Sequence, residues 1–151
     1  MNSLPDRQRL LSLRQMRQQR AQRALHQTHQ QLQPLLRELS AFDGQEASLR
    51  NLLASHRASD CTLDCRQLLA LLRTQAVIRR QIDLLRLERD HVAGQCRQLE
   101  QLLHQQRQQL GDARRQYETC ARSVQQMART QWLERLRREE RDSEEMMGAG
   151  R

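Results

Sequence analysis

The residues with the greatest chemical reach are five histidines and four cysteines. His26 and His29 stand three apart, a spacing that lets two imidazoles on one helix face share a metal ion. No third ligand lies near them, so a solvated helix face is the plainer reading. His56, Cys61 and Cys65 bracket a polar stretch and supply zinc-type ligands, yet their spacing is irregular and a fourth ligand is missing. No glycine-rich phosphate loop, nucleophile elbow or HExxH motif is present. The expectation is a chain with no metal, no cofactor and no catalytic role.

The elements that carry these residues follow from composition. One Trp, one Tyr and one Phe cannot fill a thick globular core, and five Gly with two Pro leave few turns. Gln, Leu and Arg dominate, and all favour helix. With apolar residues recurring at steps of three and four, that bias is the mark of a long helix or coiled coil. From Leu68 the series runs through Leu71, Gln75, Ile78, Ile82, Leu85, Arg89, Val92, Cys96, Leu99 and Leu103 to Gln131, about nine heptads without a break. Cys96 and Cys120 occupy stripe positions and read as small hydrophobes. The predicted second helix covers about 63–141, roughly 120 Å at 1.5 Å per residue.

A first helix is predicted over about 3–55, with a good stripe from Ala21 to Leu53. Before Ala21 the stripe is diluted by Arg7, Arg14 and Gln18. Pro34 lies off the stripe and should kink the helix or loosen the preceding turn. Asp43-Gly44 is a weak spot, but the stripe continues in phase across it. The polar stretch 54–65 is the best break, with Ser59, Asp60 and Thr62 as N-cap candidates for the second helix. A loop of about 56–62 between two long helices gives an antiparallel hairpin. The fold class is therefore all-α: one coiled-coil domain over 1–151, a two-helix hairpin with helix two the longer. Pairing about residue 59 sets Leu4 opposite Arg115, and Leu71, Ile78 and Ile82 near Leu49 and Phe42. Helix two then runs some 25 residues past its partner, with Met127, Trp132, Leu133 and Leu136 uncovered, marginal in water unless bound. Residues 142–151 are expected to be a disordered tail, since acidic side chains there oppose the helix dipole.

The net charge is +8, carried by Arg alone, for the sequence contains no Lys. Such a surplus suits an acidic partner. Nucleic-acid binders concentrate positive charge on one element and add stacking aromatics; here Arg is spread along both helices among Gln, Glu and Asp. Nucleic-acid binding therefore ranks below protein binding, although a basic nucleic-acid-binding coiled coil stays an alternative. No stretch matches the eighteen or so apolar residues of a membrane span, and the Arg-bearing N-terminus lacks a secretory h-region. The cysteines fit reduced cytosolic thiols better than a disulfide framework. Off the stripe, Leu52, Leu69, Leu72 and Ala76 form an apolar group near the loop end, bordered by Arg79 and Arg80, and an exposed apolar stripe marks an interaction site.

A basic hairpin of this length, with "LLRTQAVIRRQI" opening the second helix and "EERDSEEMM" ending it, resembles the stalk proteins of type III secretion systems. The likeness is to the InvI/SpaM branch of animal-pathogen injectisomes, with flagellar FliJ and injectisome YscO as more distant relatives. It is specific over about Leu68 to Leu87 and the acidic tail; elsewhere it rests on length, periodicity and hairpin plan. The resemblance implies a non-enzymatic cytoplasmic stalk at the base of the apparatus, like a rotary-ATPase γ subunit. It implies that the terminal end enters the hexameric secretion ATPase, with Arg7, Arg14, Met127, Trp132, Leu133, Leu136 and Arg137 as contacts. The loop end, with Leu52, Leu69, Leu72, Ala76, Arg79 and Arg80, would reach the cytoplasmic domain of the export gate. Substrate chaperones are a further candidate partner, and an export escort that binds them is the second reading.

Overall fold

The computed structural model describes residues 3–57 and 62–150. Two helices make up nearly all of them: α1, Leu4–Ser55, and α2, Cys65–Ala149. They run antiparallel, α2 is the longer, and no strand occurs among the described residues.

Each helix begins with side chains that satisfy its free N–H groups. At α1 the Asp6 N–H donates to Ser3 Oγ at 3.4 Å. Pro5 adds no unmet donor in that first turn. At α2 the Gln67 N–H donates to Asp64 Oδ1 at 2.8 Å, and the Asp64 N–H donates back to Gln67 Oε1 at 3.2 Å. This reciprocal pair is a capping box. It places the start two residues later than the sequence reading did, and Asp64 supplants Thr62 as the cap. Ser59 and Asp60, the other two candidates, lie outside the described residues.

α1 continues through Pro34 and through Asp43-Gly44. Pro34 is exposed while its neighbours Leu32 and Leu35 turn inward, so packing outweighs the single backbone bond that proline forfeits. At its other end α2 persists to Ala149, through the stretch expected to be a disordered tail. Residues 139–149 are mostly Glu, Arg, Met and Ala, strong helix formers. Propagation from an existing helix is cheap, and it outweighs the poor placement of Glu144 and Glu145 against the dipole.

Contacts between α1 and α2 fall into two units: a loop unit, His26–His104, and a terminal unit, Met1–Leu25 with Gln105–Arg151. In the loop unit Leu32, Ile78, Ile82, Val92, Cys96 and Leu103 are buried, as is Thr28. The register is fixed by Gln75 Nε2 donating to the His56 carbonyl at 2.7 Å and Arg86 Nε donating to Glu46 Oε1 at 3.0 Å. It sets Ile78 across from Leu53, Ile82 from Leu49 and Val92 from Leu39. Phe42 therefore faces Arg89, not the Ile78–Ile82 turn, and Leu68 is exposed although it lies on the stripe, because α2 here runs beyond the end of α1.

In the terminal unit Leu110 and Cys120 are buried. Arg7 donates to Ser123 Oγ, and Arg14 Nη1 donates to Gln116 Oε1 at 2.7 Å. Seven residues forward on α1 is thus seven back on α2. Leu4 falls beside Gln126 and Met127, not opposite Arg115. The expected pairing fails for a packing reason: Leu4 against Arg115 would set Leu11 against Gln108, off the apolar row. The observed register lays row on row, with Leu11 facing Cys120 and Ala21 facing Leu110, which is what seam burial requires.

Candidate interaction surfaces

α2 outreaches α1 in each unit, and what it leaves bare is where partner chemistry is available. In the loop unit the first three turns of α2, up to Gln75, precede the residues that α1 covers. Leu69 is 48% and Leu72 49% exposed. Ala76, Arg79 and Arg80 are exposed as well. Leu69, Leu72 and Ala76 share the face of α2 turned away from Ile78 and Ile82. Leu52, exposed on α1, falls across from Arg79 by the register and sits about 15 Å along the helix from Leu69. The solvent side of α2 also carries Val77, Leu84 and Leu87, absent from the sequence reading and each more than half exposed. Their seven-residue and three-residue spacing was visible, but it competed with the stronger stripe beside it.

In the terminal unit α2 continues unpaired past Met127. Trp132 is 58% exposed, Leu133 and Arg137 are exposed, and Met127 and Leu136 are half-buried. Trp132 and Leu136 are four apart and share a face. Arg7 and Arg14 do not join them. Both occupy stripe positions farther down the pair, where they bridge the two helices. The seven residues assigned to one partner thus separate into an arginine pair in the seam, Met127 where the pairing ends, and Trp132, Leu133, Leu136 and Arg137 on bare helix.

Beside that arginine pair is a groove of about 420 Å³. Leu10 and Cys120 contribute its apolar floor, and Arg7, Arg14 and Arg115 line it. Arg115 is paired to Asp112. Among the described residues no carboxylate lies within ion-pair distance of Arg7 or Arg14. Arg14 Nε is buried and has no hydrogen-bond partner. Sequence reasoning found two of the three arginines and missed Arg115, which lies off the stripe.

The loop unit balances its charges. Glu46 accepts from Arg50 at 2.7 Å and from Arg86 at 3.0 Å. Arg89 Nε lies 2.7 Å from Asp43 Oδ1. That contact is a charge contact alone, since the N–H does not point at the carboxylate and counts among the unpaired buried donors. The Arg86–Glu46 and Arg89–Asp43 contacts reach across from α1 to α2, while Arg50–Glu46 lies within α1; the three arginines are solvent-accessible, and such pairs contribute little to stability.

Among the described residues no cluster of His, Cys, Asp and Glu could hold a metal ion. His26 and His29 lie against Gln30 and Gln33, and His56 Nδ1 lies 2.9 Å from the Leu52 carbonyl. Cys65 is exposed, and Cys96 and Cys120 are buried in the seam as expected. Cys61 lies outside the described residues. Among the described residues no helix is long and apolar enough to cross a membrane.

The family model described as Salmonella surface presentation of antigen gene type M protein covers residues 5–147. Neither the curated proteins nor the solved structures returned a match.

Proposed function

This chain belongs to the Salmonella surface presentation of antigen gene type M family, a type III secretion-associated family, and from that premise we propose that it is a non-enzymatic stalk of the export apparatus. In this reading the terminal unit binds the hexameric secretion ATPase. The loop unit binds the cytoplasmic domain of the export gate. The chain hydrolyses nothing itself; it relays the ATPase cycle to the gate, as a γ subunit does in a rotary ATPase.

The observation that carries the proposal is the excess reach of α2 in both units. A two-helix hairpin built only for its own stability has no need of helix beyond its partner. Here the surplus holds Leu69 and Leu72 in one unit and Trp132 and Leu133 in the other, all exposed. Exposed apolar rows mark sites for other proteins, and helices present such rows to grooves at i, i+3, i+4 and i+7 spacing. Arg79 and Arg80 beside one row, and Arg137 beside the other, steer acidic partners.

The test pairs a surface change with a folding control. Leu69→Asp with Leu72→Asp alters only exposed positions, so helical content measured by circular dichroism stays at the parent level while secretion stops. Normal secretion by the folded double variant removes the loop unit from the mechanism. A pull-down with ATPase hexamer and with substrate chaperones separates the stalk from an escort: an escort retains the chaperones and leaves the ATPase behind.

A further inference from the structure

We propose that the groove in the terminal unit is a docking site for an acidic peptide segment of a partner, one apolar side chain flanked by carboxylates. The geometry starts from two crossbars. Arg7 reaches over to Ser123 and Arg14 reaches over to Gln116. They lie seven residues apart on α1, about 10 Å at 1.5 Å per residue. Between them the floor is Leu10 and Cys120, in a groove of about 420 Å³. Guanidinium groups therefore flank an apolar floor at both ends.

The charge on these groups is uncompensated. A guanidinium offers five N–H donors in a planar fork that matches a carboxylate. Arg7 and Arg14 each give one side-chain hydrogen bond across the groove, both to neutral acceptors. Arg14 Nε is buried without a partner, which is costly to leave unmet. Arginine at a stripe position forfeits apolar burial, and here two successive heptads make that sacrifice at the same stripe position, with Leu11 between them. Arg115 also lines the groove from α2, but its charge is met by Asp112, so the unmet charge is that of Arg7 and Arg14. An incoming carboxylate supplies the missing charge and acceptors at once. No aromatic side chain lines the groove, so a nucleic-acid strand would find phosphate contacts but no stacking platform.

Arg7 and Arg14 also belong to the ATPase-binding reading, which this inference deepens by naming the chemistry of the partner segment. The two stand or fall separately, because the groove is tested with a defined peptide and the ATPase is absent. Fluorescence polarisation is measured on the full chain with a fluorescein-labelled nonapeptide holding a central Leu and two Glu on each side. Two control peptides carry Gln for every Glu, or Ser for Leu. The expected result is saturable binding, weakened at least tenfold by Arg7→Gln with Arg14→Gln and by the Gln peptide, and several-fold by the Ser peptide. Circular dichroism of the double variant reports unchanged helix. As a second variant, Arg129→Gln with Arg135→Gln removes two exposed charges outside the groove and leaves affinity within twofold. Equal loss in both double variants overturns the proposal, because the binding is then diffuse charge attraction. So does a single-stranded oligonucleotide that displaces the peptide and depends on Arg7 and Arg14, which reassigns the groove to nucleic acid.

Discussion

At the scale of single residues, the side chains that bury the seam and those left open to solvent alternate along the same helix. Ile78 and Ile82 are 4% and 5% exposed, and between them lie Arg79 and Arg80, both open to solvent. Truncating the buried pair tests the core. Ile82→Ala removes apolar contacts against the Leu49 turn, and an interior Ile→Ala change costs about 2–5 kcal/mol. Urea unfolding followed by circular dichroism should show that loss, and an unchanged midpoint would place Ile82 outside the core. These positions were legible in the sequence because three-four spacing identifies buried rows without knowledge of the partner. The groove was not legible. Arg7 and Arg14 read as diluents of the stripe, and only the pairing register brings Arg115, Gln116 and Ser123 beside them.

At the scale of elements, α1 and α2 were recognisable as long helices, while their ends were decided by local hydrogen bonding. The Asp64–Gln67 box sets the first residue of α2. Asp64→Ala removes the acceptor, and losing such a cap costs about 1 kcal/mol; the fall should appear in the thermal midpoint, and a midpoint that does not move would assign the start to packing alone. Gly44 tests the middle of α1. A Cβ there meets nothing within 4 Å, so Gly44→Ala brings only the helix-propensity gain of about 0.5–1 kcal/mol. A lower midpoint would mean that α1 needs flexibility at Asp43-Gly44. The far end of α2 differs from the expected tail because dipole effects, worth tenths of a kcal/mol per charge, are smaller than the summed propensity of a run of good helix formers.

At the scale of the molecule, the hairpin plan was readable from one break between two periodic stretches, but the register was not. Symmetry about the loop is a weak constraint; matching one apolar row to another is a strong one, and it moved Leu4 from Arg115 to Met127. That shift matters for function, since it bares the first turns of α2 as well as its last ones. The central claim is that the loop unit and the terminal unit bind different proteins. It is tested most directly by binding the purified chain to the ATPase hexamer and to the gate's cytoplasmic domain in parallel. Three forms are compared: the parent, Leu69→Asp with Leu72→Asp, and a chain ending at Gln126. The account predicts a double dissociation: the Asp variant loses the gate domain and keeps the ATPase, and the shortened chain does the reverse. Loss of both partners, or of neither, in either folded variant contradicts it.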